Sequence, residues 1–129
     1  MSDEFKKVDR LYKQLIKAPL IGFPAKRSEL EAPTERGVYL IYSSKHGVLH
    51  VGQSVRGRNG LLQRLQNHFS GSSSFVRGYF DGDPSIIRKE CSYKYIEIAD
   101  ARERALLESY LIGRLCPAHL GLGQKKNSN

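Results

Sequence analysis

Three groups of residues have types and spacings that core packing alone leaves unexplained. The first is Glu108. At about 100° per residue, Ala105, Leu107, Leu111, Ile112 and Leu115 form one apolar arc of a helix, and Glu108 falls inside it. A carboxylate there must pair, coordinate a cation or line a cleft, because an unpaired buried charge is too costly. Arg104, one turn earlier, is the candidate for a structural salt bridge; a divalent metal is the other candidate partner. The second group is Arg64 with His68, which share a helix face at i and i+4. The planar fork of an arginine donates two hydrogen bonds at once and suits a phosphate. A surface arginine beside a helix-end histidine is the plainer alternative. The third group is Tyr39, Tyr42 and His50, on short strands beside Gly37 and Gly52. Glycines there let a backbone or ligand approach closely, although tyrosines in strands are commonly just good β-formers.

The elements that must position these residues follow from periodicity and punctuation. Residues 3–17 are expected to form a helix capped by Ser2, with Asp3 and Glu4 at its positive end. Phe5, Val8, Leu11, Tyr12, Leu15 and Ile16 make its apolar stripe. Pro19, Pro24 and Pro33 then break the chain into a connector with one short turn near Arg27–Glu31. Residues 37–42 and 48–52 are β-branched and aromatic around a Gly-bearing turn, a β-hairpin pattern. A basic loop over 53–60, a helix over 61–69 and a mobile Gly/Ser loop over 70–83, with Phe75, Val76, Tyr79 and Phe80 as candidate tethers, come next. Asp83-Pro84 starts a short helix, residues 91–98 alternate as a strand, and Asp100 caps a long helix that Pro117 ends. The expected fold class is α+β: a single domain with a small, mostly antiparallel sheet of about three strands flanked by helices.

Composition narrows the class of partner. The chain has 129 residues, 40% hydrophobic and 26% charged, which fits one globular domain and not a disordered chain. No apolar run approaches the ~18 residues of a membrane span, and the first residues carry no apolar signal core, so a cytoplasmic protein is expected. Cys91 and Cys116 have no metal-ligand spacing and are expected to be buried, reduced thiols. The net charge is +8. No carboxylate occurs between Glu35 and Asp81, while Arg36, Lys45, Arg56, Arg58, Arg64 and Arg77 all fall there. Such an unneutralised span suits a polyanion, with nucleic acid foremost.

Together these residues resemble the GIY-YIG nuclease family. Gly37-Val38-Tyr39 stands for the first signature and His50-Val51-Gly52 for the second. Arg64 lies in Leu62-Gln63-Arg64-Leu65-Gln66-Asn67-His68, and Glu108 in Ala105-Leu106-Leu107-Glu108-Ser109-Tyr110-Leu111-Ile112, with Pro117 following. The likeness covers residues 36–121. It leaves 1–35 as an N-terminal helix and connector, and 122–129 as a loose polar tail. The spacing from Arg64 to His68 is most similar to the restriction-enzyme branch. The resemblance implies metal-assisted hydrolysis of a DNA phosphodiester, with one Mg²⁺ (or Mn²⁺) per site on Glu108. It further implies that Tyr39 activates water, Arg64 clamps the phosphate, and His68 orients phosphate or nucleophile.

The pattern also departs from the family. His50 replaces the second signature's tyrosine, Gln53 stands where many members carry lysine, and Leu120, with His119 beside it, replaces an asparagine. A histidine exchanges protons near neutral pH, so His50 can take over that tyrosine's role or mark lost activity. Arg56, Arg58, Lys45 and Arg77 join Arg64 as the expected contacts to DNA, which the resemblance implies is double-stranded. With no second DNA-reading domain expected, specificity would come from loops, the N-terminal helix, a homodimer or a partner protein. The alternative to an endonuclease is a catalytically silent nucleic-acid-binding module of the same fold.

Overall fold

The computed structural model describes residues 1–54 and 58–120. Its centre is a four-stranded sheet in the order β1-β4-β2-β3, made of β1 (Ile21–Gly22), β2 (Gly37–Ser43), β3 (Gly47–Gln53) and β4 (Cys91–Glu97). Every strand pair in it is antiparallel. Five helices flank it: α1 (Asp3–Lys17), α2 (Gly60–Ser70), α3 (Ser74–Tyr79), α4 (Ser85–Glu90) and α5 (Ala101–Leu115).

The sheet is covered on both faces because its strands alternate two apolar sets. Val38, Leu40 and Val51 pack with Val8 and Leu15 of α1 and Leu107 and Leu111 of α5. Tyr39, Ile41, Leu49 and Tyr93 pack on the other face with Leu61, Leu65 and Phe69 of α2, Phe75 of α3 and Ile87 of α4. Leu61 and Leu65 are fully buried, each contributing about 1.5–3 kcal/mol of apolar transfer energy. The N-terminal segment is tied to the same body. Phe5 and Tyr12 of α1 meet the Tyr110 ring edge-on, and Tyr110 donates to Asp9.

The hairpin carries a β-bulge next to His50. Ile41 pairs with His50 but Tyr42 pairs with Val48, so Leu49 is an extra residue on β3. Leu49 and the His50 ring both pack on the α2/α3 face, while Val48 and Val51 pack on the α1/α5 face. Tyr42 also belongs to the α1/α5 face.

Several elements sit where the sequence places them. Ser2 caps α1 by accepting from the Phe5 amide, and Asp100 caps α5 by accepting from the Glu103 amide. The hairpin, α2, α4 and β4 match their expected spans to within a residue or two. Four expectations need correction. The sheet has four strands, not three, because the two residues of β1 pair with Ser92 and Tyr93 in the middle of the proline-rich connector. The 70–83 segment is not a mobile loop: Ser73 caps α3, and the candidate tethers hold, with Phe75, Val76 and Phe80 buried in the main core and Tyr79 packed against it. Ile16 is 38% exposed and lies off the α1 stripe. Of the two free thiols, Cys91 is buried but Cys116 is exposed. Among the described residues, no helix is long and apolar enough to cross a membrane.

Candidate active site

Tyr39 is completely buried, yet its oxygen lies at the rim of the sheet. It pairs with Gly52 across β2 and β3, and a Cβ on Gly52 would stand 2.5 Å from the Tyr39 oxygen. Only glycine lets the phenol ring extend across β3, which is the edge strand. Two more glycines permit close backbone approaches: a Cβ would meet the Ile96 carbonyl at 2.1 Å at Gly37 and the Glu35 carbonyl at 2.2 Å at Gly60.

Around Tyr39 the structure gathers two histidines of the sequence pattern. Tyr39 Oη and His68 Nε2 are 2.7 Å apart, and His68 Nδ1 is 2.7 Å from Ser73 Oγ. His68 is therefore a fully buried link in a chain of polar groups and not a surface helix end. The His50 ring stacks on Phe75 at 4.7 Å and packs against the His68 ring. Its Nδ1 meets His119 Nδ1 at 3.1 Å. His119 is held there by a parallel bridge to the outer edge of β3, through its amide to the Leu49 carbonyl.

Glu108 approaches from the opposite face of the sheet. It is half-buried, and its Oε1 accepts from Gln53 Nε2 at 2.8 Å. The salt bridge with Arg104 does not form. Arg104 turns into the protein and donates to the Ile98 and Ala99 carbonyls at 3.0 and 2.6 Å. Among the described residues no cation lies within 4 Å of the Glu108 carboxylate. Tyr39, His50 and His68 on one face and Gln53 and Glu108 on the other thus converge at the β3 edge, where Gly52 has no side chain.

The electrostatics follow from this burial. Burial pushes the Tyr39 phenol up to about 12; the Arg64 guanidinium opposes that rise and the Glu108 charge adds to it. Burial holds His50 down to about 3, helped by His119 and Arg64. His68 is depressed well below the ordinary range, chiefly by burial and then by the neighbouring charges of His50, Arg64 and His119. His119 is lowered by burial as well. The site at neutral pH holds neutral imidazoles and a neutral phenol beside one guanidinium.

Acid should therefore unfold this protein. Below about pH 6.5 the unfolded chain protonates His50 and His68 while the folded chain does not, so stability is lost as pH falls. Each such histidine costs about 1.4 kcal/mol per pH unit, so these two should remove about 3 kcal/mol between pH 7.5 and 5.5. Urea denaturation at both pH values measures the loss, and equal stability at both would contradict the buried neutral cluster.

The remaining expected residues are spread more widely. Arg64 is half-buried on α2, one turn before His68. Arg58 lines a cleft with Thr34, Glu35, Arg36, Glu97, Ile98 and Ala99. Arg77 is exposed on α3. Lys45 sits at the hairpin turn, the end of β3 away from Gln53, and pairs with Glu90 at 2.7 Å. Arg56 and the 122–129 tail lie outside the described residues. Sequence reasoning missed Ser73, the stacking of Phe75 on His50 and the partnership of His119 with His50. Only Ser73 carried a local signal, a serine before an apolar pair where a helix can start.

Comparison with solved structures now bears on this geometry. The magnesium-bound GIY-YIG N-terminal endonuclease domain of UvrC from Thermotoga maritima is 22% identical, with a TM-score of 0.52 over 74% of this chain and 97% of that one. A tyrosine-to-phenylalanine variant of that domain, bound to its catalytic divalent cation, gives 22% and 0.52 over 74% and 96%. An asparagine-to-alanine variant gives 22% and 0.51 over the same shares. The chain has the GIY-YIG fold. No family model matches the sequence, and no curated protein matches it. On this GIY-YIG fold, the hairpin carries Tyr39 and His50, α2 carries Arg64 and His68, and α5 carries Glu108.

Proposed function

We propose that the chain is a metal-dependent endonuclease that hydrolyses DNA phosphodiester bonds. The observation that carries this reading is the meeting of Tyr39, His68 and Glu108 at the β3 edge of a GIY-YIG fold, with the Arg64 charge acting on the same phenol. Similarity to an endonuclease domain supports the reaction class, and the net charge of +8 supports a DNA partner.

The donor set suits a hard cation. Glu108 offers one carboxylate with Oε2 left over from the Gln53 bond, and no group of three or more His, Cys, Asp or Glu occurs among the described residues. A cation held by one carboxylate keeps waters and substrate phosphate as its other ligands, the habit of Mg²⁺ and, with similar oxygen preference, Mn²⁺. One such ion per site on Glu108 would act as a Lewis acid on the phosphate and the leaving 3′-oxygen.

The chain's own residues do the rest. Arg64 holds the scissile phosphate with its planar fork and offsets charge as the pentavalent state forms. Tyr39 presents its oxygen to the attacking water, and His68 fixes the phenol in place. His50, held by His119 and Phe75, stays neutral and shapes the pocket beside them. Arg56, Arg58, Lys45 and Arg77 are the further contacts to the backbone of double-stranded DNA, Lys45 reaching it from the hairpin turn.

The four-residue step from Arg64 to His68 favours the restriction-enzyme-like branch, in which cutting both strands calls for two copies or a partner protein. The nuclease unit is residues 36–121, and the free thiols Cys91 and Cys116 suit a cytoplasmic setting. One observation favours the silent-module reading: Gln53 already occupies one Glu108 oxygen.

Arg64→Lys tests the phosphate clamp. Lysine keeps the charge but not the fork, and the cleavage rate of plasmid DNA should fall about a hundredfold with retardation of DNA in a gel retained. A rate near that of the unaltered protein would remove Arg64 from this role.

A further inference from the structure

Ser73 touches the catalytic residues without belonging to any motif. It is buried, its Oγ accepts the Val76 amide at 3.2 Å as the cap of α3, and the same oxygen lies 2.7 Å from His68 Nδ1. His68 Nε2 is in turn 2.7 Å from Tyr39 Oη. A neutral imidazole carries one N–H and one lone pair, so the chain Ser73–His68–Tyr39 has two possible arrangements. Either Ser73 donates to Nδ1 and Nε2–H donates to Tyr39, or Tyr39 donates to Nε2 and Nδ1–H donates to Ser73.

Two features select the second arrangement. The Arg64 guanidinium, whose charge acts on the phenol, has donors and no acceptor. Among the described residues the phenol oxygen has one hydrogen-bond partner, His68 Nε2, so the Tyr39 proton turns inward, towards His68. The pairing is also the stronger one, since a phenol is a more acidic donor than a serine hydroxyl and imidazole nitrogen is a better acceptor than phenol oxygen.

We propose that Ser73 is a positioning residue of this site: its oxygen accepts from His68 Nδ1–H and so fixes the tautomer whose bare Nε2 holds the Tyr39 proton. The phenol lone pairs then face outward, towards Arg64 and the place where a water would be activated. The tautomer stands on hydrogen bonding alone, while its catalytic consequence rests on the proposed nuclease activity. The role explains why the chain folds a short helix between α2 and α4. α3 delivers Ser73 to one histidine and Phe75 to the other.

The test is ¹⁵N NMR of the histidine rings, read with plasmid nicking in Mg²⁺. The full chain should show His68 as a single tautomer protonated on Nδ1. Ser73→Ala should move His68 towards the Nε2–H form or a mixture and lower kcat at least about tenfold with KM for DNA unchanged. Ser73→Thr, which keeps the oxygen, should restore both. A native His68 protonated on Nε2 would overturn the proposal even if Ser73→Ala failed to fold. So would an unchanged ring spectrum in a folded Ser73→Ala. If the expected tautomer is found but the unaltered protein does not nick DNA, the nuclease reading fails and the Ser73 assignment stands.

Discussion

Tyr39→Phe is expected to lower the metal-dependent cleavage rate about 10²–10⁴-fold, the usual contribution of a group that handles a proton in the transition state. The phenylalanine fills the same space over Gly52, so the sheet and its edge keep their shape. What goes is the single oxygen that His68 Nε2 contacts at 2.7 Å. His68 is fully buried, so its nitrogen is left without a partner at a cost of about 1–3 kcal/mol. The two effects separate by measurement: denaturant unfolding reads the second, and single-turnover cleavage of a folded sample reads the first. A variant destabilised by this amount but cleaving at the original rate would make Tyr39 a packing residue.

Glu108→Ala should have the larger effect on chemistry and the smaller one on stability. Glu108 is half-buried, and the partner it leaves behind, Gln53, is half-buried too and can bond to water. A surface-type change of this kind shifts stability by no more than about 0.5 kcal/mol. Losing the one carboxylate proposed to hold the cation removes several kcal/mol of transition-state stabilisation, so cleavage should drop about 10³-fold or more. Binding of DNA should persist or tighten slightly, because a negative charge is removed from a surface that meets phosphates. Gel retardation and nicking on the same samples check both halves, and loss of binding alongside cleavage would contradict a metal-ligand role.

How much of this was legible in the sequence depended on whether the signal was local. Ser2, Asp100 and Pro117 announce helix ends through their own side chains, and those helices lie where expected. The anomaly of Glu108 within an apolar arc was visible too, although its neighbour was misjudged. Arg104 has two backbone carbonyls within reach at the turn before α5, and its Nη1 donates to both while the carboxylate is left to Gln53; among the described residues its Nε is buried with no hydrogen-bond partner.

The features that periodicity could not show are the ones made by tertiary contact. β1 is two residues long and exists only because β4 offers it an edge. α3 has six residues, too few to stand alone, and is stabilised by burying Phe75 and Val76. The Leu49 bulge is a matter of pairing register, with no composition of its own. It turns Leu49 onto the face that His50 already takes by alternation with Val51, and there His50, His68 and His119 meet from three separate parts of the chain.

The central claim is that the β3 edge is a metal-dependent nuclease site, and supercoiled plasmid tests it most directly. The protein and Glu108→Ala would be incubated with plasmid in Mg²⁺, in Mn²⁺ and in EDTA. The account expects nicked or linear product with either metal, none in EDTA, and none from the variant. Intact plasmid in both metals with the DNA still retarded by the protein would contradict it and establish a silent binding module of the GIY-YIG fold.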